Sequence, residues 1–273
     1  MKKFEGILIC TDLDGTLLNS ESQISRENAE AIEHFKAEGG NFTFITGRMP
    51  FFALSIYDAV KPNAPFGCIN GGGLYDGASG KYVWNTALPL SVMELVEYAA
   101  GRVEGIGVQV NHFDKVYFCK ENAAMARFRA ITNSPNIVRE FKEISEPIAK
   151  IVFGDMREES ILCLSEVLRN HPRAEEFDFI RSEETLFEIL PKGINKGTVL
   201  PQLVKHLGIE PKRTIAVGDY NNDVGMLREA GLGIAVANAC KEAKEAADII
   251  TVSNDENAIA KIIYDLESGE LKI

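Results

Sequence analysis

Short apolar runs alternate with helix-period patterns at both ends of the chain. Residues 4–11 form an apolar run that stops at a polar break, which predicts a strand buried on both faces. Ser25 can cap a helix through residue 38, and Gly39-Gly40 stops it. Residues 41–45 predict a second strand, 51–60 a helix bounded by Pro62 and Pro65, and 66–69 a third strand. Residues 70–73 are a glycine-rich loop, and 74–76 with 81–83 predict a hairpin. The same rhythm returns near the end: helices at 196–207, 222–229, 241–247 and 257–266 alternate with strands at 214–217, 232–236 and 248–252. Such alternation predicts an α/β fold, a mostly parallel sheet covered on both faces to give three layers.

The middle has a different texture. Helices at 91–100, 121–131 and 158–169 stand beside strands near 106–110, 116–119 and 148–153, with a hairpin at 177–181 and 185–189. Paired strands beside helices predict an inserted α+β domain at 84–188, with the core built from 1–83 and 189–273.

Composition changes this picture little. The chain has 273 residues, 45% hydrophobic and 25% charged, which excludes disordered, collagen-like and coiled-coil classes. A net charge of −11 argues against nucleic acid or an anionic membrane surface as a partner. No apolar run approaches the roughly 20 residues that span a bilayer. The opening stretch from Met1 to Cys10 weakly mimics a signal peptide. Its apolar part is short, carries no small-residue cleavage site and runs into Asp12 and Asp14, so a strand is expected there. Cys10, Cys68, Cys119, Cys163 and Cys240 are odd in number and form no CxxC, which fits a reducing cytoplasm. His34, His112, His171 and His206 have no metal-ligand spacing.

The strongest chemical feature is Asp12-Leu13-Asp14-Gly15-Thr16 directly after the first strand. Ligands of open α/β sheets bind at the carboxyl ends of strands. Two carboxylates at i and i+2 of an extended chain lie on one side, roughly 6–7 Å apart. Thr46-Gly47-Arg48 follows the second strand, where a hydroxyl and bare backbone N–H groups can grip a phosphoryl oxygen. Lys196 sits at a helix start, an awkward place for a cation unless it meets an anion. Gly218-Asp219-Tyr220-Asn221-Asn222-Asp223 places two more carboxylates at a strand-to-helix turn. Taken singly, these are equally a strand-end turn, a solvated lysine and an acidic N-cap. Together, converging carboxylates call for a hard divalent cation, and Mg²⁺ prefers a few carboxylates, waters and a phosphate. A carboxylate nucleophile in such a site can form an aspartyl phosphate.

In this order the motifs Asp12-x-Asp14-Gly15-Thr16, Thr46-Gly47-Arg48, Lys196-Gly197 and Gly218-Asp219-x-x-Asn222-Asp223 resemble the haloacid dehalogenase-like superfamily, in particular its Cof-type phosphatases with a large cap. The likeness extends to Asn70-Gly71-Gly72 and Gly231-Leu232-Gly233. It implies a Rossmann-like core, an inserted cap and a Mg²⁺-dependent phosphatase of small phosphorylated metabolites, sugar phosphates foremost. Asp12 is then the nucleophile and Asp14 the acid and base. Asp12, the Asp14 main-chain carbonyl and Asp219 hold Mg²⁺, and Asp223 supports that site through water or by orienting Lys196. Thr46, Gly47, Lys196 and Asn222 bind phosphoryl oxygens, with Arg48 beside them. The resemblance implies a small-molecule partner, without nucleic acid or membrane, for a monomer or small homo-oligomer.

One stretch departs from the pattern: residues 253–260 lack the glycine usual before the last helix. In the insertion, His112, Tyr117 or Arg181 could touch a leaving group, against plain packing or surface roles. Trp84 reads as a packing anchor. A phosphomutase could use the same residues. A receiver module would lack the insertion, a glycosidase would not need Lys196 or Asp219, and a non-catalytic binding protein would leave Asp12 and Asp14 without a purpose.

Overall fold

The computed structural model describes residues 2–145 and 147–273; Met1, at the head of the opening run, lies outside them. The chain divides into two compact units. One comprises the chain up to Asn85 together with Asn195–Ile273, and the other is Thr86–Ile194.

In the first unit, the parallel sheet is built from β1 (Leu8–Thr11), β2 (Asn41–Phe44), β11 (Thr214–Gly218), β12 (Leu232–Ala235) and β13 (Ile249–Ile250), in the order β13-β12-β11-β1-β2. The opening strand is shorter than its apolar run, because Phe4 turns aside to pack on Phe35, 4.8 Å between ring centroids. Between β1 and β2 lies α1 (Arg26–Ala37), capped as expected by Ser25, whose side chain accepts the Asn28 N–H. The chain steps from β1 to β2 in one direction and, through α7 (Val224–Glu229) and α8 (Lys241–Ala246), from β11 to β13 in the other. Right-handed crossovers in opposite directions put these helices on opposite faces of the sheet. The strand order therefore reverses at the carboxyl end of β1, between β2 and β11.

The remaining helices of this unit are α2 (Pro50–Val60), α6 (Val199–Leu207) and α9 (Ala258–Ser268). α9 packs on α1, where Asn28 accepts the Ala260 N–H at 2.9 Å. β3 (Phe66–Cys68), β4 (Gly73–Asp76) and β5 (Lys81–Asn85) form a separate antiparallel sheet. A single parallel bridge from Ile45 to Gly67 links it to the end of β2, so the third strand adds no full ladder to the parallel sheet. At the glycine-free stretch before α9, Asn257 adopts the left-handed conformation at φ 61°. Asparagine tolerates that region, which leaves the helix start intact without glycine.

In the second unit, one antiparallel sheet runs in the order β7-β6-β8-β10-β9. Its strands are β6 (Gly107–His112), β7 (Val116–Lys120), β8 (Ile148–Gly154), β9 (Phe177–Glu183) and β10 (Leu186–Pro191). With it go α3 (Val92–Ala100), α4 (Ala123–Thr132) and α5 (Glu158–Arg169). One face carries Val108, Val110, Ile151, Phe153, Phe187 and Ile189, all buried against Leu95, Val96, Ile161 and Leu164 of α3 and α5. Tyr117 belongs to this apolar cluster and meets His112 edge-on at 4.7 Å, while Arg181 pairs with Glu158. No helix of the described residues is long and apolar enough to cross a membrane.

Candidate active site

Asp12 is the first residue past β1, and its N–H donates to Val217 O of the neighbouring β11 at 2.8 Å. This fixes its backbone at the point where the strand order reverses. The chain then doubles back: Leu18 N–H donates to Leu13 O, and Gly15 takes φ +81°. Gly15 is required there twice over, since a Cβ would also stand 2.6 Å from Asp219 Oδ2. Thr16 closes the turn by donating its hydroxyl to Asp219 Oδ1 at 2.6 Å. Two amides from distant loops hold the same turn, Asn238 Nδ2 on Gly15 O and Asn254 Nδ2 on Leu18 O.

Asp219 follows β11, and Asp223 ends the single 3₁₀ turn Asn221–Asp223. Both oxygens of Asp223 are engaged. Oδ2 accepts the N–H groups of Asp219 and Tyr220 at 2.9 and 3.0 Å, and Oδ1 accepts Lys196 Nζ at 2.6 Å. Lys196 also reaches Asp12 Oδ1 at 2.6 Å, and its side chain is 1% exposed. The lysine at a helix start is therefore a buried cation between two carboxylates rather than a solvated one. It lies in a short 3₁₀ segment, Lys196–Thr198, ahead of α6. Asn195 caps that segment through Gly197 N–H, and Gly197 packs so closely on Gly225 that a Cβ would lie 2.5 Å from Gly225 O.

Asp12, Asp219 and Asp223 each present a carboxylate oxygen within 4.8 Å of the others. Burial, then the nearby Asp223, pushes Asp12 well above the usual carboxylate range, against the opposing pull of Lys196. The same two causes push Asp219 up to about 6, although the Thr16 hydroxyl works the other way. Asp12 and Asp223 raise the affinity of Lys196 for its proton despite its burial, so it is an ammonium. One buried ammonium does not balance three carboxylates. The donor set is all hard oxygen and carries excess negative charge, which fits Mg²⁺.

Asp14 does not join this cluster. Its carboxylate, with its side chain 56% exposed, accepts both Nε and Nη2 of Arg48 at 3.1 and 2.7 Å. Arg48, expected beside the phosphate, is thereby committed to a two-point contact with Asp14. The metal-binding role expected of Asp14 is that of its main-chain carbonyl and does not call on this carboxylate.

Thr46 and Gly47 follow β2. Thr46 is buried, its hydroxyl accepts the Arg48 N–H, and its carbonyl accepts the Asn70 N–H. A Cβ on Gly47 would stand 2.8 Å from Asn70 Oδ1. Asn222 is drawn to the same place, donating Nδ2 to Asn70 Oδ1 at 3.1 Å. Asn70 belongs to a glycine-rich loop and to the family likeness but has no site role assigned from sequence, yet it is fully buried in the left-handed conformation and joins the Thr46 and Asn222 segments. Its signal was an asparagine ahead of three glycines, the usual chemistry of left-handed backbone. Gly71, at φ +99°, lets this loop meet the lysine segment, for a Cβ there would fall 1.9 Å from Asn195 O. We expect Gly71→Ala to lower unfolding stability by about 2–4 kcal/mol in urea titrations. Gly208→Ala, also left-handed but with open space around it, is expected to cost about 1 kcal/mol. Equal losses would show that the close approach does not matter.

The family model for haloacid dehalogenase-like hydrolases matches residues 9–263. A 5-amino-6-(5-phospho-D-ribitylamino)uracil phosphatase of Bacillus subtilis, YwtE, is 32% identical, with 96% of this chain and 98% of that protein covered. A chloroplastic endoribonuclease, YBEY of Arabidopsis thaliana, is 30% identical over 94% of this chain, but the chain spans only 46% of its length. A crystallised protein of Thermotoga maritima is 26% identical with a TM-score of 0.81, each chain 98% covered. The match of the family model over nearly the whole length, on a fold whose acidic loops converge at one end of the sheet, places this chain among the haloacid dehalogenase-like hydrolases.

Proposed function

We propose that this protein is a Mg²⁺-dependent phosphatase that hydrolyses small phosphorylated metabolites, sugar and polyol phosphates foremost, through an aspartyl phosphate on Asp12. The observation that carries this reading is the Asp12 carboxylate at the end of β1, hydrogen-bonded by a buried lysine and grouped with Asp219 and Asp223. The name of the Bacillus relative, a phosphatase of a ribityl phosphate, supports a polyol as the alcohol part.

Asp12, the Asp14 main-chain carbonyl and Asp219 would hold the metal, which supplies positive charge to the phosphoryl oxygens when bound. Lys196 supplies more from the protein side, and Asp223 positions that ammonium while its own second oxygen is spent on backbone N–H groups. Thr46, Gly47 and Asn222 hold the remaining phosphoryl oxygens. An Asp12 oxygen forms the new bond to phosphorus as the bond to the leaving alcohol breaks. Asp14, exposed enough to take a proton from solvent once it leaves Arg48, gives that proton to the leaving oxygen, help worth about 10²–10⁴-fold. Water then attacks the aspartyl phosphate, Asp14 takes its proton, and Asp12 is regenerated. All five cysteines are free, as a cytoplasmic setting would keep them.

The test is a panel of phosphorylated metabolites with Mg²⁺, scored for inorganic phosphate and for isomers. Phosphate release without isomer formation is expected, and isomer formation would point to a phosphomutase. Chelation should lower turnover by at least about a hundredfold, with Mg²⁺ restoring it. Full activity in chelator would remove the metal from the reading.

A further inference from the structure

In the first unit, the turn that carries Asp14 is held from outside at three points. Asn238 Nδ2 donates to Gly15 O at 2.8 Å, Asn254 Nδ2 donates to Leu18 O at 2.9 Å, and the Ser20 N–H donates to Asp255 Oδ1 at 2.8 Å. The three side chains come from the loops after β12 and β13, at the carboxyl end of the sheet where Asp12 also lies. They meet the backbone of residues 15–20. Asp12 is held separately, by its N–H on Val217 O and by Lys196.

The loops that supply these side chains are themselves tied. Asn238 Oδ1 accepts the Asn254 N–H at 3.0 Å, which fixes the Asn238 amide with its nitrogen toward Gly15. The Ala237 N–H donates to Val252 O, and Ser253 and Glu256 close a capping box across Asn254. Stability alone does not ask for the Asn238 bond. Asn238 is exposed, and water satisfies an exposed carbonyl nearly as well as an amide does, so the bond adds little to folding. Water does not, however, hold a carbonyl in one place. Gly15 directly follows Asp14, whose side chain is 56% exposed and must leave Arg48 to work. The acid thus has room to move at its carboxylate, on a backbone braced from behind.

We propose that Asn238, oriented by Asn254, is a positioning residue for the proton transfers of Asp14 and not for the attack of Asp12 on phosphorus. The proposal rests on the phosphatase reading, in which Asp14 is the acid and base. A displacement of about 1 Å in a reacting group can cost on the order of 10²-fold in rate. Freeing Gly15 O lets the Asp14 backbone drift, while the Asp12 backbone keeps its own bond to β11.

The test uses the full chain at saturating Mg²⁺ and two aryl esters of similar size. p-Nitrophenyl phosphate has a leaving oxygen that departs without a proton, whereas the leaving oxygen of phenyl phosphate calls for one. The quantity read is kcat/KM, which covers the steps through cleavage of the ester and leaves out the later hydrolysis of the aspartyl phosphate. Asn238→Ala is expected to lower kcat/KM for phenyl phosphate by about tenfold or more and for p-nitrophenyl phosphate by less than about twofold, with an unchanged urea midpoint. Asn238→Asp, which keeps the shape and the Asn254 contact but loses the N–H toward Gly15, is expected to show the same split. Equal losses on the two esters, or no loss on either, would overturn the proposal. So would failure of both variants to fold, which would make Asn238 a structural residue. A parent chain that cleaves neither ester would remove the phosphatase reading itself, an outcome distinct from any seen in the variants alone.

Discussion

Asp12→Asn is expected to release no phosphate above background, a loss of about 10⁴-fold or more, while unfolding no more easily than the parent chain. The amide keeps the shape of the side chain and its place after β1, but it is not a nucleophile toward phosphorus. Stability is expected to hold because the native carboxylate sits under strain: burial and Asp223 both oppose its charge. Replacing it by a neutral group removes that opposition and leaves Lys196 with Asp223 as its partner. Groups kept for chemistry commonly have this character, and their removal raises stability by about 1 kcal/mol or leaves it unchanged. Phosphate-release assays and thermal unfolding check the two halves separately. Full turnover would eliminate the covalent route, whereas loss of folding together with activity would make Asp12 a structural residue.

Lys196→Met is expected to be the most damaging single change to folding at this site. It removes the ammonium that lies 2.6 Å from both Asp12 and Asp223 and leaves a buried group of three carboxylates with no cation from the protein. Breaking one side of a buried charge pair costs about 3–5 kcal/mol, and here two pairs break together. We expect a loss in that range in metal-free buffer, with turnover abolished. Added Mg²⁺ should return part of the stability, and a larger part than it gives the parent chain, because a dication replaces the missing charge. Urea titrations with and without Mg²⁺ measure both quantities. A variant as stable as the parent chain would mean that the carboxylates are neutral in the folded protein.

Much of this architecture was legible because its signals are local. The Ser25 cap and the Asp12-to-Thr16 loop need no distant partner to be recognised, and each sits at an element boundary. What escaped the sequence acts across the fold. Asn70 stands out in sequence only as part of a glycine-rich motif, with no partner visible until the Thr46 and Asn222 segments close around it. Asn238 and Asn254 look like ordinary turn residues, yet they fasten the loop that carries Asp14. Arg48 fits a phosphate site on position alone; only the folded chain shows it turned to Asp14. Strand ends were displaced for a similar reason, as tertiary contacts such as Phe4 on Phe35 draw apolar residues out of the ladder.

The hydroxyl of Thr16 and the carboxylate it meets on Asp219 are 203 residues apart in the chain. During synthesis the amino-terminal aspartates therefore leave the ribosome long before anything exists to neutralise or enclose them. Until the segment through residue 223 has emerged, they lack Lys196, Asp219 and Asp223, the groups that surround Asp12 in the folded chain. On the proposed mechanism, reactivity would therefore begin late, once pairings more than 200 residues apart have closed, and a ribosome stalled anywhere in the second unit would display an inert product.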